Sequence, residues 1–102
     1  MVNLGLMAKT EKIYKNEKTY KYPAIFRKDE ENPVYINVSF PDIFAGNTFG
    51  EGIDDAMYMA KDLLKMMLEE IPEQCMPPHT LEETQKNFPN EQVLMVQVEI
   101  DK

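Results

Sequence analysis

One cysteine, one histidine, no tryptophan and four glycines are found among the 102 residues of this chain. A single cysteine excludes an intrachain disulfide and a thiolate metal cluster. Cys75 and His79 lie four residues apart, but Pro77 and Pro78 between them prevent a helical arrangement, and no second ligand pair follows. That segment is expected to be a loop without metal, and no cofactor is expected. No apolar run approaches the roughly 20 residues of a membrane span. The N-terminal MVNLGLMAKTEK places its lysines after its apolar residues, the reverse of a secretion signal. A cytoplasmic protein without a membrane segment is expected.

Basic residues are also scarce. Eleven Lys and Arg stand against eighteen Asp and Glu, giving a net charge of −7. Broad contact with nucleic-acid phosphates needs clustered cations, so that class is disfavoured. A basic protein partner suits this charge. The cations that exist are concentrated early: Lys9, Lys12, Lys15, Lys18, Lys21, Arg27 and Lys28 face only Glu11 and Glu17 over residues 9–28. Residues 1–18 lack sustained periodicity and read as a mobile basic arm, with the folded domain spanning 19–102.

The domain is built from two periodicities. Thr19–Phe26 is a strand with Tyr20, Tyr22, Ala24 and Phe26 on one face. Pro23 has no N–H, so this strand should lie at a sheet edge or aim the missing donor outward. After a charged turn, Val34–Phe40 alternates Val34, Ile36, Val38 and Phe40 with Tyr35, Asn37 and Ser39. Asn47–Phe49 reads as a short third strand, and Gly46, Gly50 and Gly52 read as turn residues. Gly52 can cap a helix whose first turn carries Asp54 and Asp55. In that helix, Ile53 to about Glu70, the residues Ile53, Ala56, Met57, Ala60, Leu63, Leu64 and Met67 fall on one face. Met59, Met66 and Leu68 widen it. Thr80 followed by Glu83 is a capping box for a short helix to about Asn87. Val93–Ile100 forms the last strand, and its near-continuous apolar start places it inside the sheet. The expectation is an α+β fold: a small antiparallel sheet of three to four strands, with one main helix packed on one face.

No catalytic constellation emerges. Asp42, Asp54 and Asp55 could bind a divalent metal as nucleases do, but a Pro-Asp turn and a helix start account for them. Ser39 has no histidine partner in view. The GNTFGEG segment lacks the Lys and Ser/Thr of a phosphate loop. Function is therefore expected on surfaces, as binding rather than chemistry. The candidate partner-binding residues are Tyr35 and Asn37 on the second strand, Asp42 and Phe44 in the turn after it, and Met59 and Met66 on the widened helix. Oligomerisation, to a dimer or tetramer, is expected through an edge strand or the helix.

Taken together, Tyr22-Pro23-Ala24, Phe40-Pro41-Asp42, Thr48-x-Gly50 and the helix with Asp55-Ala56 and Ala60 resemble the HicB family of antitoxins. The resemblance spans roughly residues 20–72. The family's Pro-Gly-Cys is here Phe44-Ala45-Gly46, its Glu before Ala56 is Asp55, and Asn32-Pro33 replaces a turn glycine. These departures bear on partner specificity more than on fold. The resemblance implies a partial ribonuclease-H-like α+β fold without an assumed catalytic role. It also implies binding and neutralisation of a small, basic, RNA-cleaving HicA-type toxin. Family members often carry a C-terminal DNA-binding module; none is expected between the last strand and Lys102, so operator binding is not expected. The alternatives are an orphan HicB-like domain that binds nucleic acid, or a metal-dependent nuclease.

Overall fold

A computed structural model describes residues 17–101. Four strands form one antiparallel sheet: β1 (Glu17–Lys28), β2 (Tyr35–Ser39), β3 (Asn47–Glu51) and β4 (Gln92–Asp101), in the order β3-β2-β1-β4. Helix α1 (Ile53–Glu70), a 3₁₀ turn (Pro72–Gln74) and helix α2 (Leu81–Asn87) connect β3 to β4. The α+β expectation holds. Glu17 and Lys18, assigned to the arm from sequence, pair with Asp101 and Ile100 in β1. The rest of the expected mobile arm lies outside the described residues.

The inner face carries the core. Tyr22, Ala24 and Phe26 from β1, Val38 from β2 and Val96, Val98 and Ile100 from β4 meet Ala56, Ala60, Leu64 and Met67 of α1. The helical residues recur at intervals of four, four and three, which puts them on one stripe. Each large side chain buried here contributes about 1.5–3 kcal/mol of hydrophobic stabilisation. Ile53, expected on this stripe, is instead 43 % exposed, because it sits at the helix start beyond the sheet. Met57, Leu63 and Leu68 pack along its flank.

The helix lies very close to β3. A Cβ on Gly50 would come within 2.4 Å of the Ala56 nitrogen, so glycine is required for the approach of α1. Gly50 is thus a strand residue rather than the turn residue expected from sequence. Gly52 does cap α1, at φ +86°, with no side chain to accept a helix N–H. The Asp55 carboxylate reaches back to accept the Glu51 N–H at 2.8 Å.

One strand placement differs from expectation, and the Pro23 strand takes the second of its two expected alternatives, an outward-aimed missing donor. The Pro23 strand is internal, between β2 and β4. Its β2 ladder, however, begins only at Ile25↔Ser39, so the chain around Pro23 is paired on the β4 side alone. The Asp29 N–H donates to the Tyr35 carbonyl (2.9 Å), which assigns the odd-numbered backbone groups of β1 to the β2 side. The absent N–H of Pro23 therefore points past the end of β2, where no strand requires it. β4, expected inside the sheet, lies at its edge. Its apolar start is buried on both faces by the two helices, not by a second neighbouring strand. Val96, Val98 and Ile100 lie under α1, while Val93, the partner of Ile25 on the outer face, lies beside α2.

Helix α2 begins as its sequence dictates. The Thr80 hydroxyl accepts the Glu83 N–H, and the Glu83 carboxylate accepts the Thr80 N–H, both at 3.0 Å. Thr84, buried, donates its hydroxyl to the Thr80 carbonyl at 2.9 Å.

Candidate functional site

Alternation in β2 and β3 turns Tyr35, Asn37 and Phe49 to the outer face, opposite the face covered by α1. Asn37 and Phe49 are direct partners across the ladder, and Tyr35 is the diagonal neighbour of Phe49. The two rings meet edge to face, with centroids 5.7 Å apart and planes at 83°. This geometry suits the ring quadrupoles and holds both rings in place. Phe49 nevertheless remains 57 % exposed. With Asp29, these three residues line a shallow depression of about 240 Å³.

The rim is acidic and ordered. One oxygen of Asp29 accepts the N–H groups of Asn32 (3.0 Å) and Glu31 (3.2 Å), and the other accepts the Asn37 amide at 3.1 Å. The Asn37 bond, followed by the Asn32 bond, lowers the Asp29 pKa and keeps it charged. Glu30, Glu31 and Glu51 are exposed nearby. Arg27 adds little positive field, because its guanidinium makes a two-point contact with Glu91 at 3.0 and 3.1 Å.

A second exposed feature lies in the loop after β2. Ile43 forms a single β-bridge with Cys75, and the Phe44 and Met76 N–H groups bond the carbonyls of Gln74 and Asp42 at 3.0 and 2.9 Å. Ile43 is buried, while Phe44 is 74 % and Met76 59 % exposed. A Cβ at Gly46 would meet Ile43 at 2.9 Å, and Ala45 adopts φ +61°, so the loop shape is tightly determined.

Asp42 is placed differently from the other candidates. It is 7 % exposed, and both of its oxygens serve His79: Oδ2 accepts the backbone N–H at 2.9 Å and Oδ1 meets Nδ1 at 2.7 Å. The expected bonds to local backbone give way to a partner 37 residues away. Asp42 thereby pins the loop after β2 to the start of α2, and it is not open to direct contact. The same bond raises the His79 pKa. Nearby, the Tyr22 hydroxyl donates to the Met76 carbonyl at 2.8 Å, and burial pushes its pKa up. Burial likewise raises the Cys75 thiol, which keeps it protonated and weakly nucleophilic.

The candidate residues therefore occupy separate surfaces. Tyr35 and Asn37 are brought together on the outer sheet face, Phe44 stands on the loop, and Met59 and Met66 belong to the helix covering the inner face. Met59 is half-buried and Met66 is 40 % exposed. Phe49 and Met76 were not among the candidates read from sequence. Strand alternation could have identified Phe49, since it falls in phase with Tyr35 once the register is known. Nothing local marks Met76. Among the described residues, no group of three or more His, Cys, Asp or Glu is placed to hold a metal ion. No helix among them is long and apolar enough to cross a membrane.

The model of the family described as HicB-like antitoxin of bacterial toxin–antitoxin system matches residues 21–85. The chain belongs to this family. Among solved structures it is similar to the N-terminal domain of the antitoxin HicB of Burkholderia pseudomallei, at 24 % identity and a TM-score of 0.63. That match covers 78 % of this chain and 98 % of the other. It is also similar to a chain of a toxin–antitoxin complex from Streptococcus pneumoniae, at 21 % identity and a TM-score of 0.59, covering 82 % of this chain and 70 % of the other. At these identities the two structures establish the shared fold. No curated protein matches the chain.

The residues that make this chain look HicB-like are mostly packing residues. Tyr22, Ala24, Phe40, Asp42, Gly50, Ala56 and Ala60 are all buried. Exposed Phe44 and Phe49 lie outside that set, on the surface of the HicB-like scaffold.

Proposed function

We propose that this HicB-like chain is an antitoxin that binds a small, basic, RNA-cleaving HicA-type toxin and occludes its active site. The observation that carries the reading is the outer sheet face. There the Tyr35–Phe49 pair and Asn37 stand on paired strands inside a rim of Asp29, Glu30, Glu31 and Glu51. Rigid aromatic anchors supply affinity at interfaces, and acidic surroundings draw in a basic partner. The net charge of −7 acts in the same direction at longer range. Phe44 on the loop and Met59 and Met66 on α1 lie on other surfaces and are not required for this contact. The role is one of blocking, with no chemistry contributed by this chain.

Co-expression with the protein encoded by the neighbouring reading frame tests the reading. A stable complex and restored growth are expected. Tyr35→Ala and Phe49→Ala should each cost about 2 kcal/mol, or roughly 30-fold in affinity, while leaving the fold intact. Absence of a complex and of growth rescue by the unaltered chain would sink the proposal. Loss of binding from Phe44→Ala or Met66→Ala, with the sheet-face variants unaffected, would move the interface elsewhere.

A further inference from the structure

What the Tyr35–Phe49 depression can hold follows from the groups its side chains leave free. The Asn37 amide nitrogen donates to Asp29 Oδ1 at 3.1 Å, which fixes the amide orientation and turns its carbonyl oxygen away from Asp29. Asp29 Oδ2 is occupied by two backbone N–H groups. Oδ1 accepts only Asn37 among the described residues and keeps a second lone pair. These bonds hold the carboxylate charged. Two acceptor oxygens, Asn37 Oδ1 and Asp29 Oδ1, therefore stand beside a pair of rings. The edge-to-face contact engages the edge of one ring and one face of the other, so ring faces remain for a third group.

A ring face and acceptor oxygens next to a negative charge suit a cation that donates hydrogen bonds. A metal ion would lack ligands, since no three His, Cys, Asp or Glu converge among the described residues. A lysine ammonium is strongly hydrated, and a shallow depression of about 240 Å³ cannot strip its water. A guanidinium is planar, weakly hydrated and forked, so it can lie on a ring while its N–H groups reach oxygens. The chain's own cations leave the place open. Arg27 is engaged by Glu91, and at this rim Lys28 stands against Asp29, Glu30 and Glu31.

We propose that the depression is an arginine subsite, in which one arginine side chain of the partner lies against the Phe49 ring and donates to Asn37 Oδ1 and Asp29 Oδ1. That this arginine belongs to a HicA-type toxin rests on the antitoxin reading; the chemistry of the depression does not. The subsite adds register to attraction. A fork that must meet oxygens and a ring at once can dock in one place, whereas a diffuse charge of −7 draws a basic protein without that constraint.

Nuclear magnetic resonance of the full chain, titrated with N-acetyl-arginine amide at constant ionic strength, tests the subsite. The Asn37 side-chain amide and the Phe49 ring signals should move. The response should be about threefold smaller with N-acetyl-lysine amide and absent with the neutral citrulline analogue. Asp29→Asn and Phe49→Leu should each cut the arginine response about threefold. No response to arginine, equal responses to arginine and lysine, or an arginine response unchanged in both variants overturns the proposal. The comparison of arginine with lysine uses the unaltered chain and does not depend on how a variant folds. In a complex with the protein of the neighbouring reading frame, each arginine of that protein is exchanged in turn for lysine. One exchange should weaken binding to the parent chain about tenfold and binding to Phe49→Leu far less. A complex in which no arginine is coupled to Phe49 overturns the subsite and leaves the antitoxin reading standing. Absence of a complex sinks that reading, and the probe titration still decides the subsite.

Discussion

Replacing Gly50 by alanine is the sharpest test of how α1 is seated. The new methyl carbon would stand 2.4 Å from the Ala56 nitrogen, 2.5 Å from its Cα and 2.6 Å from the Asp55 carbonyl carbon. Ordinary contact begins near 3.4 Å, so the start of α1 must lift by about 1 Å. The obstacle is helix backbone, which has no rotamer to relieve the clash. Overpacking of this kind costs roughly 1–3 kcal/mol, and lifting the helix also loosens the contacts of Ala56 and Ala60, both fully buried. The stiffer unfolded chain returns about 0.4–1 kcal/mol. A net loss of about 1–3 kcal/mol follows, equivalent to a fall in Tm of roughly 5–20 °C for a domain of this size. Urea and thermal unfolding followed by circular dichroism measure it directly. A variant within about 0.5 kcal/mol of the parent would refute the close seating of α1 on β3.

The Asp42–His79 link has a pH signature. Because the Asp42 hydrogen bond raises the His79 pKa, the folded state holds that proton more tightly than the unfolded chain, whose value is about 6.5. The stabilisation is therefore complete below about pH 6.5 and fades as pH rises through the folded value. His79 is the sole histidine, so one NMR resonance reports it. It should titrate above 6.5 in the parent and return close to that value in Asp42→Asn, whose stability should also lose this pH dependence; an unchanged titration would refute the link. Thr80→Ala deletes the acceptor for the Glu83 N–H and should cost about 1 kcal/mol in urea unfolding, while Thr80→Ser stays within a few tenths. Equal stability of the alanine variant would show that α2 is held by packing alone.

Much of this molecule is written locally. Helix α1 spans Ile53–Glu70 because its apolar residues recur at helical spacing and Pro72 stops it. α2 begins at Leu81 because Thr80 and Glu83 lie one turn apart and cap each other. Tyr35 and Asn37 were legible as outward residues from alternation alone. Their meeting with Phe49 required the β2–β3 register. The role of Gly50 was hidden because a glycine in a turn and a glycine under a helix look alike in sequence. Asp42 misled for a related reason: the turn explained it sufficiently, and its partner lies far along the chain.

By itself the sequence determined the elements, their ends, the acidic charge and the family-like order of motifs. Each depends on contacts within a turn or two of helix, or on alternation along one strand. Tertiary structure alone decided that the Pro23 strand is internal, that β4 is an edge, and that Asp42 holds His79. These are choices among distant pairings. They are settled by which segments can pack together without leaving backbone groups unpaired, and a local pattern carries no record of that competition.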